Sequence, residues 1–234
     1  MSPEEVEAFD KRGILLMPSF FDSTECDIWG GRYPDFKRCV NDGKSGVRRS
    51  DRFITGTLPP PIGTIYRHPK LVDLARQLYG DNVALYMNRV LLKDETWAGS
   101  VGPHQDAPYL NGGQEKTSVF VPLTPQSPRT GGLLFLEGSH EYGNIGVGDI
   151  VLDKFPSMPE FGPELGVGDI LVSHLFTWHY SRVPVERRER ALLQIVYQPS
   201  SDGSFEGGTM RGPTLVSGEW QTDIFVPNRY GVVQ

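Results

Sequence analysis

The chain has 234 residues, of which 38% are hydrophobic and 22% charged, and its formal net charge is −6. No basic stripe of the kind that binds nucleic acid dominates it, and no apolar run approaches the roughly 18–20 residues of a membrane span. We therefore expect no nucleic-acid or membrane partner. The opening residues lack the basic and apolar regions of a secretion signal, which predicts a cytoplasmic protein.

The opening of the chain has the pattern of a capped helix followed by a strand. Ser2 can cap a helix with Pro3 in its first position, and Glu5 completes a capping box. Gly13 is expected to end this helix, and Ile14–Met17 is predicted to be a short buried strand.

Two more helices are predicted in the first third of the chain. One starts after Asp22, which can act as its N-cap. The other spans about Pro69–Tyr79, where leucine and alanine recur at helical spacing, and Gly80 is a natural stop.

The segment 41–61 between these helices is polar and then proline-rich. It contains the cations Lys44, Arg48, Arg49 and Arg52. We expect a solvated loop here, with a lid that meets an anionic substrate as the alternative.

From Val83 onward the pattern is that of strands punctuated by turn residues. The pentapeptide Gly-Val-Gly-Asp-Ile occurs twice, at 146–150 and 166–170, and is interpreted as a repeated turn-into-strand signal. Helices followed by many strands predict an α+β fold, mainly β, with a jelly-roll-like core in one domain that covers residues 1–234. The candidate strands are Ala84–Lys93, Ser118–Leu123, Gly132–Leu136, Ile150–Leu152, Asp169–Leu175 and Ala191–Tyr197.

The triplet His104-Gln105-Asp106 is the first candidate for chemistry. On an extended chain, residues two apart point to the same face, so one strand can offer a nitrogen and an oxygen ligand to one metal ion. His179, on a later strand, can complete the set. Two histidines and one carboxylate leave coordination positions open, an arrangement that suits non-haem Fe(II) oxygenases.

The open positions need to accept O2 and an electron-donating co-substrate. A 2-oxo acid can chelate iron through its keto oxygen and one carboxylate oxygen, and its far carboxylate then needs a cation. Arginine fits because it binds carboxylates bidentately. Arg190 lies eleven residues after His179, but Arg182, Arg187 and Arg188 are nearby, and the residues alone do not choose among them.

These residues lie in a longer pattern that resembles the phytanoyl-CoA dioxygenase-like family of Fe(II)/2-oxoglutarate oxygenases over nearly the whole chain. The opening Pro3–Pro18 resembles the family's first helix and strand, and His104-Gln-Asp106 matches its first metal motif. Thr130–His140 resembles its GxLxxxxGSH segment. Gly168–Ser181 resembles its second metal motif, in which a first histidine is followed five residues later by the ligand.

The resemblance implies a double-stranded β-helix, also described as a jelly-roll or cupin-like fold, with N-terminal helices packed outside. It implies that His104, Asp106 and His179 bind Fe(II) inside the mouth of the barrel. It also implies 2-oxoglutarate as co-substrate, held by Arg190 and by Ser181.

Four further residues are weaker candidates for the site. Relatives often carry an amide that contacts the co-substrate near the position of Asn88, and Lys93 lies in the same neighbourhood. Tyr109 and Trp178 are aromatic residues close to predicted ligands, where such side chains can pack against a substrate.

The chain departs from the family pattern in two places. Tyr180 follows the second metal histidine where the family often has Gly or Arg, and the usual Asn before the arginine is absent, which keeps Arg188 as an alternative to Arg190. The function expected from the resemblance is hydroxylation of a C–H bond of a small organic molecule, with desaturation or oxidative cyclisation as alternatives. The rivals are a cupin-like metalloenzyme that does not use 2-oxoglutarate and a non-enzymatic metal-binding β-sandwich. A monomer or homodimer is expected.

Overall fold

The structure is a computed structural model, and it describes residues 1–41, 47–50, 53–94, 98–113, 115–145, 158–208 and 210–228. Its helices in these ranges are α1 (Pro3–Arg12), α2 (Ser23–Gly30), α3 (Tyr33–Asn41) and α4 (Pro69–Tyr79). Its strands are β1 (Ile14–Met17), β2 (Val47–Ser50), β3 (Phe53–Gly56), β4 (Val83–Lys93), β5 (Val101–His104), β6 (Thr117–Pro122), β7 (Leu134–Leu136), β8 (Glu160–Phe161), β9 (Ile170–His174), β10 (His179–Ser181), β11 (Arg190–Pro199), β12 (Ser204–Glu206), β13 (Thr214–Ser217) and β14 (Val226–Asn228). Among the described helices, none combines the length and the apolar character that crossing a bilayer requires.

Helices α1 and α2 begin where the sequence predicts, and α1 also ends at the predicted residue. In α1 the Ser2 hydroxyl accepts from the Glu5 amide, the Glu5 carboxylate accepts from the Ser2 amide, and Gly13 ends the helix with φ 70°. Asp22 caps α2 through the same reciprocal pair of hydrogen bonds. Because caps satisfy the amides that a helix start leaves unpaired, the sequence alone fixes these boundaries. The prediction of β1 and of α4 is also confirmed.

The prediction of a loop over 41–61 is wrong for Val47–Ser50 and Phe53–Gly56, which are strands. There β2 and β3 form an antiparallel hairpin, and β3 pairs with β4 at the edge of the large sheet. Charged residues suit edge strands, where they discourage pairing with other chains, so this segment does not show the alternation of a half-buried strand. The side chains of Lys44, Arg48, Arg49 and Arg52 lie outside the described residues, as does the predicted strand Ile150–Leu152.

The strands form two facing antiparallel sheets. The large, eight-stranded sheet has the order β1-β9-β6-β11-β4-β3-β2, with β13 also pairing β4. The small sheet has the order β5-β10-β7-β8, and β12 and β14 form a separate parallel pair. Antiparallel sheets packed face to face in this way make the double-stranded β-helix that was expected.

The two faces of the large sheet contact different layers. Its outer face packs against the helices, where Val119, Val172 and Ile195 join residues of α1, α3 and α4. Its inner face meets the small sheet, where Phe120 and Leu192 pack against Phe135. Since successive residues of a strand point to opposite faces, each strand position is assigned either to the helix layer or to the space between the sheets.

Candidate metal centre

Three potential ligands meet between the sheets where β5 ends and β10 begins. These strands are antiparallel with His104 directly opposite His179, and the two ring centroids are 4.3 Å apart. Asp106 Oδ1 lies 3.8 Å from His179 Nε2, and one ligand atom from each of the three residues lies within 4.8 Å of the others. A single metal ion therefore fits among them.

The prediction that one strand carries both His104 and Asp106 is wrong, although the two side chains do converge. Strand β5 ends at His104, and Asp106 has φ −72° and ψ −34° at the start of a short 3₁₀ turn. The intervening Gln105 is fully buried, and its amide bonds the carbonyls of Gly143 and Phe176. This anchor fixes the turn and thereby the position of the carboxylate.

Both imidazoles are held in the tautomer that metal binding needs. Nδ1 of His104 lies 2.9 Å from the Gly102 carbonyl oxygen, and Nδ1 of His179 lies 3.0 Å from that of Thr177. A carbonyl oxygen can only accept, so each Nδ1 carries the proton and donates it. Each Nε2 then keeps its lone pair for a metal ion, and the backbone bond fixes the orientation of the ring.

The carboxylate of Asp106 is held through one of its two oxygens. Oδ2 accepts hydrogen bonds from the Ser118 hydroxyl and from the Gln194 side-chain amide, both at 3.0 Å, which leaves Oδ1 toward the histidines. Burial on its own raises the pKa of Asp106. Positive charge on the neighbouring imidazoles when they are protonated, the charge of Arg89 and the Ser118 hydroxyl outweigh burial and hold the pKa of Asp106 below its usual range, so the group is an anion at neutral pH.

Aromatic side chains surround the buried ligand, whereas the other histidine lies at the open side. Rings of Phe135 and Phe120 lie 5.6 and 6.4 Å from His179, which is 5% exposed. His104 is partly exposed and has Tyr109, itself 48% exposed, at 6.1 Å. The centre is therefore closed around His179 and opens near Tyr109.

A buried cation and a buried hydroxyl face the space between the sheets near the ligands. Ser181 follows His179 by two residues on β10, and Arg190 precedes Gln194 by four residues on β11, so each shares the inner face with a residue of the centre. They are 1% and 3% exposed. Among the described residues, neither Ser181 Oγ nor Arg190 Nε and Nη1 has a hydrogen-bond partner.

A bound carboxylate fits this pair of groups. Burial lowers the pKa of Arg190 to about 10, and buried polar groups in native proteins are almost always hydrogen-bonded. An anion that accepts hydrogen bonds from Arg190 and Ser181 would give these buried groups partners. The alternatives Arg182, Arg187 and Arg188 are exposed, so the structure favours Arg190.

Lys93 lies beside the proposed co-substrate position. It is directly opposite Arg190 in the register of β4 and β11, is 1% exposed, and its Nζ donates to the Arg182 carbonyl at 2.9 Å. Like charges opposite one another repel, so two buried cations on adjacent strands make this end of the barrel favourable for an anion.

The predicted roles of Asn88 and Trp178 do not fit this arrangement. Asn88 lies on the outer face of β4, and its amide donates to the Gly63 carbonyl at 3.0 Å in the layer of helices. Trp178 immediately precedes His179, so it points away from the metal centre, and it is buried with Leu134 outside the small sheet. Strand alternation puts both side chains on the wrong face for contact with a co-substrate or substrate.

The sequence reasoning missed the residues that hold Asp106. Ser118 and Gln194 are each 1% exposed on strands that are mostly apolar, and Arg89 is on the inner face of β4 opposite Gln194. A signal was present, because Gln194 lies four residues from Arg190 within a hydrophobic run and so shares its face. A buried polar residue on the same face as a predicted ligand is a candidate for the site.

A double-stranded β-helix with two histidines and one carboxylate at its mouth defines the class of Fe(II)- and 2-oxoglutarate-dependent oxygenases. The family model of phytanoyl-CoA dioxygenase (PhyH) matches residues 9–183, more than half of the chain. The chain therefore belongs to the phytanoyl-CoA dioxygenase family. The match ends before Arg190, so the choice of that arginine depends on its place in the structure.

Curated relatives match at low identity. The chain is 24% identical over 139 residues to 1-deoxypentalenic acid 11-beta-hydroxylase of Streptomyces exfoliatus, which covers 50% of this chain and 48% of that protein. It is 24% identical over 173 residues to ectoine dioxygenase of Bordetella bronchiseptica (strain ATCC BAA-588 / NCTC 13252 / RB50), and this alignment covers 66% of this chain and 54% of that protein. The chain thus spans about half the length of the curated relatives it matches.

Solved structures share the fold over nearly the whole chain. The carbocyclase SnoK from nogalamycin biosynthesis aligns with a TM-score of 0.74 and 17% identity over 93% of this chain and 97% of that one. EctD from S. alaskensis, in its complex with 2-oxoglutarate and 5-hydroxyectoine, aligns with a TM-score of 0.76 and 18% identity over 97% and 88%.

Proposed function

We propose that the chain is an Fe(II)- and 2-oxoglutarate-dependent dioxygenase that hydroxylates a C–H bond of a small organic molecule. One observation carries this proposal. A converged set of metal ligands lies in the same space between the sheets as a buried guanidinium and hydroxyl without partners among the described residues. In this proposal His104, Asp106 and His179 hold iron, and Arg190 and Ser181 hold the distal carboxylate of 2-oxoglutarate.

The spacing along β11 supports this division of roles. Arg190, Leu192 and Gln194 share the inner face, and Gln194 bonds the metal-ligating Asp106. Four strand residues span about 13 Å, which leaves room for a short dicarboxylate between the guanidinium and the ligands. Leu192 is fully buried between the two polar positions and offers an apolar surface to the methylene groups of the co-substrate.

The chain's own residues orient the reactants and exclude water. When bound, the ferrous ion supplies the redox chemistry that couples decarboxylation of 2-oxoglutarate by O2, giving succinate and CO2, to insertion of an oxygen atom into the substrate C–H bond. Phe120 and Phe135 cover the ring of His179 and keep water from that side. Asp106 stays anionic, so it can ligate without first losing a proton.

The substrate is expected to enter at the open side of the centre, beside His104 and Tyr109. We propose that the ring of Tyr109, which is 48% exposed, packs against it. The curated relatives are named for oxidation of 1-deoxypentalenic acid and of ectoine, which supports a small-molecule substrate. A second hydrogen abstraction at the same site would give desaturation or ring closure in place of an alcohol, and product analysis separates these outcomes.

Spectroscopy and product analysis together test the function. Anaerobic protein with Fe(II) and 2-oxoglutarate should show a weak visible metal-to-ligand charge-transfer band. His104→Ala should abolish the band, whereas Arg188→Ala, a change at an exposed arginine, should leave it in place. With O2 and candidate small molecules, succinate release should match substrate oxidised.

The rival functions predict different results from the same samples. Metal-dependent turnover without succinate would indicate a cupin-like metalloenzyme, and metal binding without O2 consumption a non-enzymatic binding protein. A wild-type sample that binds Fe(II) but shows no band with 2-oxoglutarate would refute the proposal.

We also propose that residues 1–234 form one catalytic domain, because the sheet whose inner face carries Gln194 packs its outer face on the N-terminal helices.

A further inference from the structure

Arg89 is linked to the metal-ligating carboxylate through one side chain. It lies directly opposite Gln194 in the register of β4 and β11. Its Nε donates to Gln194 Oε1 at 2.9 Å, and Gln194 Nε2 donates to Asp106 Oδ2 at 3.0 Å. The guanidinium also stacks on the ring of Phe53, 4.4 Å from its centroid. Arg89 is therefore held by the Phe53 ring as well as by its hydrogen bond to Gln194.

This arrangement gives the Gln194 amide only one orientation. Its oxygen faces a guanidinium, which can only donate, and its nitrogen faces a carboxylate, which can only accept when ionised. The amide nitrogen also lies 3.3 Å from the Ser118 hydroxyl, which donates to the same Oδ2 of Asp106. The donors therefore all point toward one carboxylate oxygen, and each of these hydrogen bonds strengthens its neighbours.

The rotation of the Asp106 carboxylate determines how many coordination positions it occupies. With Oδ2 held by two donors, only Oδ1 faces the histidines. If the group were free to turn, both oxygens could chelate the metal, and a position needed by the two oxygens of 2-oxoglutarate or by O2 would be occupied.

We propose that Arg89 is a positioning residue that acts through Gln194 to hold Asp106 as a one-oxygen ligand, which keeps a coordination position open for the co-substrate. The inference depends on the proposed metal site but not on the identity of the substrate. It predicts that loss of Arg89 harms binding of 2-oxoglutarate more than binding of the metal.

The test uses Arg89→Met, with Arg76→Met as the matched control because Arg76 pairs with Asp81 at the protein surface. Loss of a direct hydrogen-bond partner of a metal ligand typically costs about 10–100-fold in metal affinity or activity. Arg89 reaches Asp106 through Gln194, so Co(II) affinity, measured by calorimetry without 2-oxoglutarate, should stay within about threefold of wild type, whereas the dissociation constant of 2-oxoglutarate in the anaerobic Fe(II) complex should rise about tenfold. The visible absorption of the Co(II) complex should also weaken, because its intensity falls as coordination number rises. Arg76→Met should change none of these, and Arg89→Lys should recover only part of the loss, since an ammonium lacks the planar fork.

A double-mutant cycle tests whether Arg89 acts through Gln194. Gln194→Leu should weaken 2-oxoglutarate binding as Arg89→Met does. The double variant should bind 2-oxoglutarate no more weakly than whichever single variant binds it less tightly. Effects that multiply would overturn the relay, as would an Arg89→Met protein with unchanged 2-oxoglutarate affinity and Co(II) spectrum. A parallel loss of Co(II) and 2-oxoglutarate affinity would assign Arg89 a merely structural role. If wild type itself showed no charge-transfer band, the proposed function would fail first, and the two failures are thus distinguishable.

Discussion

Arg190→Met should stabilise the empty protein while it abolishes co-substrate binding. Burial lowers the pKa of Arg190 to about 10, which at roughly 1.4 kcal/mol per pKa unit corresponds to about 3 kcal/mol of lost hydration. Methionine has a similar length, carries no charge and adapts to irregular packing. Allowing for imperfect packing, we expect a gain of about 2 kcal/mol, which for a protein of this size raises the melting temperature by about 4–8 °C.

Thermal melts with and without ligands measure both effects. In wild type, Ni(II) with 2-oxoglutarate at 100 times its dissociation constant should add about 2.7 kcal/mol beyond Ni(II) alone. In Arg190→Met the addition of 2-oxoglutarate should produce no further shift, because the carboxylate has lost its bidentate partner. Arg188→Met is the matched control, since the Arg188 side chain is 77% exposed, and it should behave as wild type.

Either half of this expectation can fail. An Arg190→Met protein that melts well below wild type without ligands would show that the guanidinium stabilises the fold, contrary to the desolvation reasoning. If 2-oxoglutarate still raised the melting temperature of Arg190→Met but not that of Arg188→Met, the co-substrate would be assigned to Arg188 instead.

Two further predictions concern buried titratable side chains away from the centre. Burial, together with the nearby charge of His140, lowers the pKa of His174 to about 4. As the pH is lowered, the unfolded state therefore binds the proton before the folded state does. The free energy of unfolding should fall by about 1 kcal/mol from pH 7 to pH 5, once the effect is reduced to allow for the partial exposure of His174. Urea unfolding of His174→Asn, which keeps an acceptor for the Phe176 amide, should show a flatter pH dependence, and an unchanged slope would contradict the assignment. At the ion pair of Lys116 and Asp202, whose side chains are 0% and 13% exposed, Asp202→Ala should cost about 3–5 kcal/mol because it leaves a buried ammonium without a counter-charge. Lys116→Met should cost less in the same assay, since Asp202 keeps its backbone amide donors, and the reverse order would refute this reasoning.

The sequence predicts those parts of the fold that local chemistry determines. The capping boxes at Ser2 and Asp22 mark α1 and α2 because a cap and the amides it satisfies lie within one turn. Helix α3 buries Tyr33, Phe36 and Val40 at helical spacing, yet Gly-Gly-Arg precedes it, and without a capping residue the pattern gives no clear start.

The candidate site also has a part that the sequence predicts and a part that it does not. The three ligands are predictable because the family motifs fix their spacing in the chain, whereas the choice of Arg190 over Arg188 needs the burial that the structure shows. The relay from Arg89 to Asp106 is not, because it depends on the register between β4 and β11 and on a turn after β5, neither of which is encoded next to the residues involved. Asn88 illustrates the same limit, since its neighbour Arg89 is the residue that faces the centre.

One strand pairing therefore controls both ends of the proposed reaction space. On β11, Arg190 and Gln194 share a face, and on β4 their direct partners are Lys93 and Arg89. A one-residue slip of this pairing would turn one set of side chains to the outer face and place charged groups among the apolar residues that pack on the helices, at the cost of burying unpaired charge. The packing that stabilises the outer face thus also fixes the distance between Arg190, the proposed co-substrate cation, and the candidate metal ligands, and the site needs no separate device to maintain it.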